Sequence, residues 1–513
     1  MCGVFTSFDS FGGGVTLITP GLNGDVNGWI TGMANDIPGY RTFPGTNYTC
    51  YEFYFTNISG SYYLTSTRVA GNAPSATDTG EIIIKLDWSQ LSDGNSYNTY
   101  QIAAAVLPAL LSTNFVPELN GHAIAEMPLH LVGHSRGGSL ICQLSLLLGT
   151  NGIWVDHLTT LDPHPLNNDG FTLDHFVYSA VDAPCHTYQN VLFHDNYWEN
   201  LEFAIYGEPV AGAYIRNLTS LNGGYSGASS KHSNVHLWYF GTISLVTPTS
   251  DTEASITSAE RTSWWSAYEN QGTNAGFQYS LIGGSNRLST DQPVGAGYPA
   301  IRDGFNQWWD LGAGVSSNRT SLTNYGGWPN VIRFDRADTN PVVQGQSIMA
   351  NFYYQWAQPV ASNATISFYL DRDLNPLNTN QTLLRQISVP GSGTNAVDFG
   401  SVMLPLAASN APPGAYWLYA TISGGGTSRW LYAPESVQVV SPPQPVMAIG
   451  RSGAAQVSIA INGSTNQTVV LQRSTDLVNW QPIATNLLTT NAWIYTNTTS
   501  GTNQLYFRTV IAN

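Results

Sequence analysis

Leu129-His130-Leu131-Val132-Gly133-His134-Ser135-Arg136-Gly137-Gly138-Ser139-Leu140 decides how the first half of this chain is read. An apolar run suited to a strand leads into Gly-x-Ser-x-Gly, and an apolar helical stretch follows to about Leu148. Gly133 and Gly137 lack Cβ atoms, so the turn between the two elements can be sharp enough to hold Ser135 in a strained conformation. The helix after it would aim N-terminal N–H groups at a developing negative charge. The bare spacing is common, but between a strand and a helix it presents a serine for nucleophilic attack.

Around this stretch, residues 12 to about 245 alternate strand and helix signals. Val15–Thr19 reads as a strand ended by Pro20-Gly21, followed by a helix from about Asn27 that stops near Pro38. Cys50–Phe55 and Tyr62–Arg68 read as a hairpin, and Ile82-Ile83-Ile84 as part of a strand buried on both faces. Tyr97–Leu111 places Ile102, Val106 and Leu110 on one helical face, with a kink expected at Pro108. Trp154–Leu161 is the first strand after the serine and ends in Asp162-Pro163. The pattern predicts a doubly wound α/β domain.

Residues 246–330 are rich in Gly, Asn and Trp and read as an extension wrapping that domain, which would then span 1–330. The tryptophans there suit core packing, with a substrate-binding wall as the other use. From about Val331, short alternating strands predict a β-sandwich over 331–440. Ser441–Pro445 is a stiff linker, and a small β-module follows over 446–513. Asp371, Asp373 and Asn375 fall at alternate calcium-ligand positions, but Pro376 and Thr382 stand where a glycine and a bidentate glutamate belong, so a surface turn is expected.

Composition narrows the function classes. The 513 residues carry a formal charge of −15, with lysine only at Lys85 and Lys231, so nucleic acid and anionic membrane surfaces are poor partners. No apolar run approaches the ~20 residues of a membrane span. Low charge content with abundant Gly, Ser, Thr and Asn suits a secreted or extracellular protein, and no signal peptide opens this sequence. The four cysteines are too widely spaced for a zinc motif. Cys142 reads as a buried thiol, and one disulfide among Cys2, Cys50 and Cys185 stays open.

Ser135 requires a base, and the base an orienting carboxylate. Asp162 and Asp195 each follow a strand end and are the candidates for the acid. His232 and His236 are the candidates for the base. With Ser233 read as the cap of a helix from Asn234 to about Ile243, His232 would occupy the preceding loop and be free to turn toward Ser135. His134, His164 and His194 are expected to shape the site. The backbone N–H groups of Leu22 and Arg136 are the candidates for an oxyanion hole. No metal or organic cofactor is implied.

These pieces together resemble the lipase branch of the α/β-hydrolases, particularly animal lipases of the pancreatic type. The similarity covers about residues 12–245: Pro20-Gly21-Leu22 with Trp29 and Met33, Leu86-Asp87-Trp88, Gly133-His134-Ser135-x-Gly137, Leu161-Asp162-Pro163, and the segment from His232 to Ile243. The resemblance implies an α/β-hydrolase fold, catalysis by Ser135, Asp162 and His232, and a lipid or small-molecule ester as substrate. Pro20 and Arg136 depart from the family pattern, and the cysteines that would close a lid are absent. The tail is similar instead to immunoglobulin-like modules of secreted bacterial enzymes, which could engage a surface or polymer. Rival readings are an amidase or polyester depolymerase with the same triad, or a carbohydrate-binding surface protein without catalysis.

Overall fold

A computed structural model describes residues 13–40, 47–170, 173–202, 205–226, 229–244, 249–266, 276–280, 319–323, 326–337, 341–357, 362–391, 397–407, 409–465, 467–499 and 504–512. Its first part is built on eight strands: β1 Val15–Thr19, β2 Thr49–Ile58, β3 Ser61–Gly71, β4 Ile82–Asp87, β5 Leu129–His134, β6 Val155–Leu161, β7 Val191–Trp198 and β8 Tyr214–Asn217. They form one sheet in the order β3-β2-β4-β1-β5-β6-β7-β8. Every neighbouring pair is parallel except the β2–β3 hairpin at one edge.

Helices α1 (Trp29–Asp36), α2 (Thr99–Leu111), α3 (Arg136–Thr150) and α4 (Lys231–Ile243) accompany this sheet. Side chains alternate between the faces of a strand, and the packing follows. Ile82, Ile84 and Leu86 join the apolar cluster with Ile102, Val106 and Leu144 of α2 and α3, while Ile83 joins the cluster with Trp29, Met33 and Trp238 of α1 and α4. Asn98 caps α2 reciprocally with Gln101, and Pro108 lies inside that helix.

The expectation of a doubly wound α/β-hydrolase is corrected by the chain as a whole. Strand accounts for 41% of it and helix for 19%, and the helical content expected of such a fold is not evident. Two connections show why. Residues 162–190 and 199–213 leave β6 and β7 without an α-helix among the described residues, and prolines and glycines such as Pro163, Pro165, Gly170, Pro184, Gly207 and Pro209 interrupt them. Everything described beyond 330 is sheet or loop.

The second part pairs a three-stranded with a five-stranded sheet. The strands are β9 Asn330–Arg336, β10 Val342–Val343, β11 Ser347–Gln355, β12 Asn363–Asp371, β13 Thr382–Pro390, β14 Asp398–Pro405, β15 Gly414–Gly424 and β16 Thr427–Val440. The sheets run β14-β11-β9 and β10-β16-β15-β12-β13 and share a core of residues such as Phe334, Phe352, Phe368 and Leu418. Beyond the Ser441–Pro445 linker, two further three-stranded sheets close on Ile459, Ile461, Val469 and Leu471.

The sandwich does not hang from the first part as a separate bead. Trp430, Tyr432, Tyr419 and Leu374 belong to the same apolar cluster as the face of the large sheet that carries α2 and α3. The Asp371–Asn375 segment, weighed above as a calcium loop, is part of this junction. Asn375 donates to the carbonyls of Pro74 (2.8 Å) and Thr77 (2.7 Å), and Asp371 accepts from the Tyr432 hydroxyl at 2.6 Å. Arg429 is fully buried and bonds both the Trp154 carbonyl and the Asp156 carboxylate on β6. Removing one partner of a buried ion pair leaves the other charge uncompensated. Arg429→Ala is therefore expected to cost about 3–5 kcal/mol of stability in denaturant unfolding. A loss under about 1 kcal/mol would show that the junction does not depend on this pair.

Candidate active site

Ser135 sits at the junction of β5 and α3 with φ 56° and ψ −126°, a conformation that L-residues adopt only under constraint. Its N–H donates to the Leu161 carbonyl at 3.0 Å, tying the turn to the end of β6. The approach of the loop after β1 is equally close. A Cβ at position 137 would lie 2.5 Å from the Pro20 carbonyl oxygen, and one at position 21 would lie 2.5 Å from Ser135 Cβ. Glycine at both positions lets this loop reach the serine. Leu22, Ser135, Arg136 and His232 all line one cavity of about 160 Å³. Arg136 opens α3, where a backbone N–H has no acceptor within the helix.

Asp162 stands one residue past β6 with φ 43°. Its N–H donates to the Tyr197 carbonyl at 2.7 Å, and its Oδ1 accepts the Glu199 N–H at 2.7 Å. Its Oδ2 lies 2.6 Å from His232 Nδ1. That contact makes Nδ1 the donor and leaves Nε2 for a second partner. Burial pushes both groups toward their neutral forms, His232 down and Asp162 up; the Glu199 and Gly207 N–H groups oppose the shift at Asp162. The positive charges of His164 and His236 press His232 in the same direction as burial.

The helix carrying His232 begins earlier than its sequence suggests. Ser230, not Ser233, precedes α4, so His232 lies in the first helical turn rather than in the loop before it. The ring still meets Asp162, because Glu202 anchors that turn. Its Oε2 accepts from the Ser230 hydroxyl and the His232 N–H, the latter at 3.2 Å. His236, one turn on, is buried against Asp251 (3.1 Å) and stacks on Trp29 with ring centroids 4.5 Å apart.

Asp195 is committed elsewhere. Its Oδ1 meets His157 Nε2 at 2.8 Å and the Thr159 hydroxyl at 2.6 Å, and its Oδ2 accepts from the Tyr197 hydroxyl at 2.9 Å. His194 is held between the Thr187 and Thr160 hydroxyls and is not part of the cavity wall. His134 and His164 do line the cavity; His134 Nε2 donates to the His232 carbonyl at 3.1 Å.

Arg136 lines the cavity, but its guanidinium is committed elsewhere. The guanidinium is fully buried, forks onto Asp182 at 2.7 and 2.8 Å, and donates to the carbonyls of Ser92 and Tyr97, both at 3.0 Å. It also lies over the Trp88 ring at 5.1 Å. Asp182 in turn accepts the N–H groups of Thr99 and Leu166, so the arginine staples the start of α2 and the loop after Asp162 to the start of α3.

Several site residues carry no motif. His164 lies between Asp169 (2.9 Å) and Asp174 (3.3 Å); burial works against its charged form, but the two carboxylates prevail and raise it to about 9. His236 lies between Asp251 and Glu253 in the same manner. Each group brings metal-ligand atom types close together, His164 with Asp169 and Asp174, and His134 with His236 and Glu253. Asp251 and Glu253 fall in the stretch read as a wrapping extension, where only their neighbourhood in sequence to α4 could have drawn notice. Of the tryptophans in that stretch, Trp264 is buried and Trp328 donates to the Ser428 carbonyl, whereas Trp308 and Trp309 lie outside the described residues. Cys50, Cys142 and Cys185 are buried free thiols, which removes a disulfide between Cys50 and Cys185; Cys2 lies outside the described residues.

No family model matches the chain, and no curated protein matches it. Among solved structures, the C-terminal domain of wzt is similar at 14% identity over 22% of this chain and 74% of that one, with a TM-score of 0.17. A Salmonella alpha-2-macroglobulin mutant is similar at 12% identity over 35% of this chain and 14% of that one, with a TM-score of 0.14. These likenesses are very weak and do not indicate an α/β-hydrolase.

Proposed function

We propose that the protein hydrolyses carboxylic esters through a Ser135–His232–Asp162 triad. The observation that carries this reading is the 2.6 Å contact of His232 Nδ1 with Asp162, in a cavity that Ser135 and His232 line together. Ser135 Oγ attacks the ester carbonyl carbon, and His232 Nε2 takes its proton. Asp162 fixes the imidazole tautomer and offsets the charge that develops on the ring. The Leu22 and Arg136 N–H groups receive the oxyanion, each worth about 10²–10³ in rate. The alcohol leaves with the proton from His232, and water, deprotonated by the same ring, releases the acid from the acyl-enzyme.

Exposed apolar side chains beside the cavity favour a substrate with an apolar acyl part. Phe176 is 85% exposed and Val177 63%, on the segment whose Tyr178 lines the cavity. Leu201, next to Glu202 at the base of the His232 turn, is exposed too. No helix among the described residues is long and apolar enough to cross a membrane. A fluorophosphonate ester tests the reading directly. One equivalent is expected to be incorporated, with the mass increment on the peptide holding Ser135. Absence of labelling, or labelling at another serine, would overturn it.

A further inference from the structure

The cavity carries a charge that ester cleavage does not require. Its wall includes the Glu253 side chain, 35% exposed, whose Oε2 lies 3.5 Å from His236 Nε2. Glu253 stands in a turn held in place from three sides. Asp251 Oδ1 accepts the N–H groups of Glu253 and Ala254, both at 2.8 Å. The Ser255 N–H donates to Ser229 Oγ at 2.9 Å, and Ser229 donates to Asn234 in α4. On the other side, Thr252 packs so tightly on Gly28 that a Cβ there would overlap it. The turn thus bridges the chain leading into α1 and the helix that bears His232.

The charges around the cavity do not cancel. His164 offers one positive charge against Asp169 and Asp174, and His236 one against Asp251 and Glu253. Glu202 adds a further carboxylate at the His232 turn, and Lys231 returns one positive charge beside Glu199. The Arg136 guanidinium is fully buried and paired with Asp182, so it adds no positive charge to the cavity. Tyr178 lines the same cavity, and aromatic faces attract ammonium groups. A basin of this sign repels carboxylates and concentrates cations, reinforced by the −15 charge of the whole chain.

We propose that the cavity selects esters bearing an organic cation, with the Glu253 carboxylate receiving an ammonium group of the substrate. The proposal rests on the esterase reading given above and names its substrate class. The test compares kcat/KM for an acyl ester of 2-(trimethylammonio)ethanol with its uncharged carbon isostere, the 3,3-dimethylbutyl ester of the same acid. The wild-type ratio is expected at roughly 10 at low ionic strength, shrinking as salt is added. Glu253→Gln should bring the ratio close to one, and Glu253→Lys should invert it. Because both substrates are measured on one preparation, the ratio does not depend on the fraction of correctly folded enzyme. A wild-type ratio of one or less, or a ratio that Glu253→Gln leaves untouched, overturns the proposal while hydrolysis of the neutral ester still supports the triad. Failure to hydrolyse either ester, with no fluorophosphonate labelling, defeats the triad reading itself.

Discussion

Ser135→Ala is expected to lower kcat for a short-chain ester by about 10⁶-fold. The alanine retains the fold and the oxyanion donors of Leu22 and Arg136 but has no oxygen to form the acyl-enzyme. Only binding and oxyanion stabilisation remain, worth a residual of about 10³–10⁴ over water. Ser135→Gly separates chemistry from strain. The nucleophile is lost equally, while the φ of 56° becomes freely accessible. Glycine is therefore expected to be as inactive as alanine yet to stabilise the protein by about 1–3 kcal/mol in denaturant titration. Equal activity of wild type and Ser135→Ala would refute the assignment. Equal stability of the glycine and alanine variants would show that the turn stores no strain.

Asp162→Asn is expected to reduce kcat by about 10⁴-fold with little change in structure. An amide at this position accepts from the Glu199 N–H as before, but its NH₂ group competes as a donor toward His232. The imidazole then presents the wrong tautomer to Ser135. Asp195→Asn is the informative partner. That carboxylate is buried at the centre of its own network with His157, Thr159 and Tyr197. Burial raises it to about 7, against the hydrogen bonds it accepts. Its replacement should cost about 1–3 kcal/mol of stability and leave turnover of the folded enzyme within a few fold. The opposite pattern, with turnover lost at 195 and kept at 162, would transfer the role of the acid to β7.

Some of this was legible along the chain because it is local. The strand, glycine turn and helix around Ser135 follow from apolar periodicity and missing Cβ atoms, and the structure has β5 and α3 there. Asp162 could be nominated from Pro163, which stops the strand. The start of α4 is not legible locally, because Ser230 and Ser233, three residues apart, can each precede a helix. The better choice was decided by Glu202, 28 residues away, bonding Ser230. The wound α/β expectation failed for a related reason. The balance of strand over helix is a property of the whole chain, which no single stretch displays.

What the sequence by itself determined is a serine in a strained turn, a short set of carboxylates and histidines, and an acidic chain. Those properties reside in residue identity and spacing over a few positions. Only the tertiary structure decided which acid meets which base, that the Arg136 guanidinium is spent on Asp182, and that Glu253 faces the cavity. The physical reason is that each is a contact between segments distant in the chain, such as 70 residues from Asp162 to His232 and 46 from Arg136 to Asp182. Charge and hydrogen-bonding capacity are fixed locally, but the partner that satisfies them is chosen by packing.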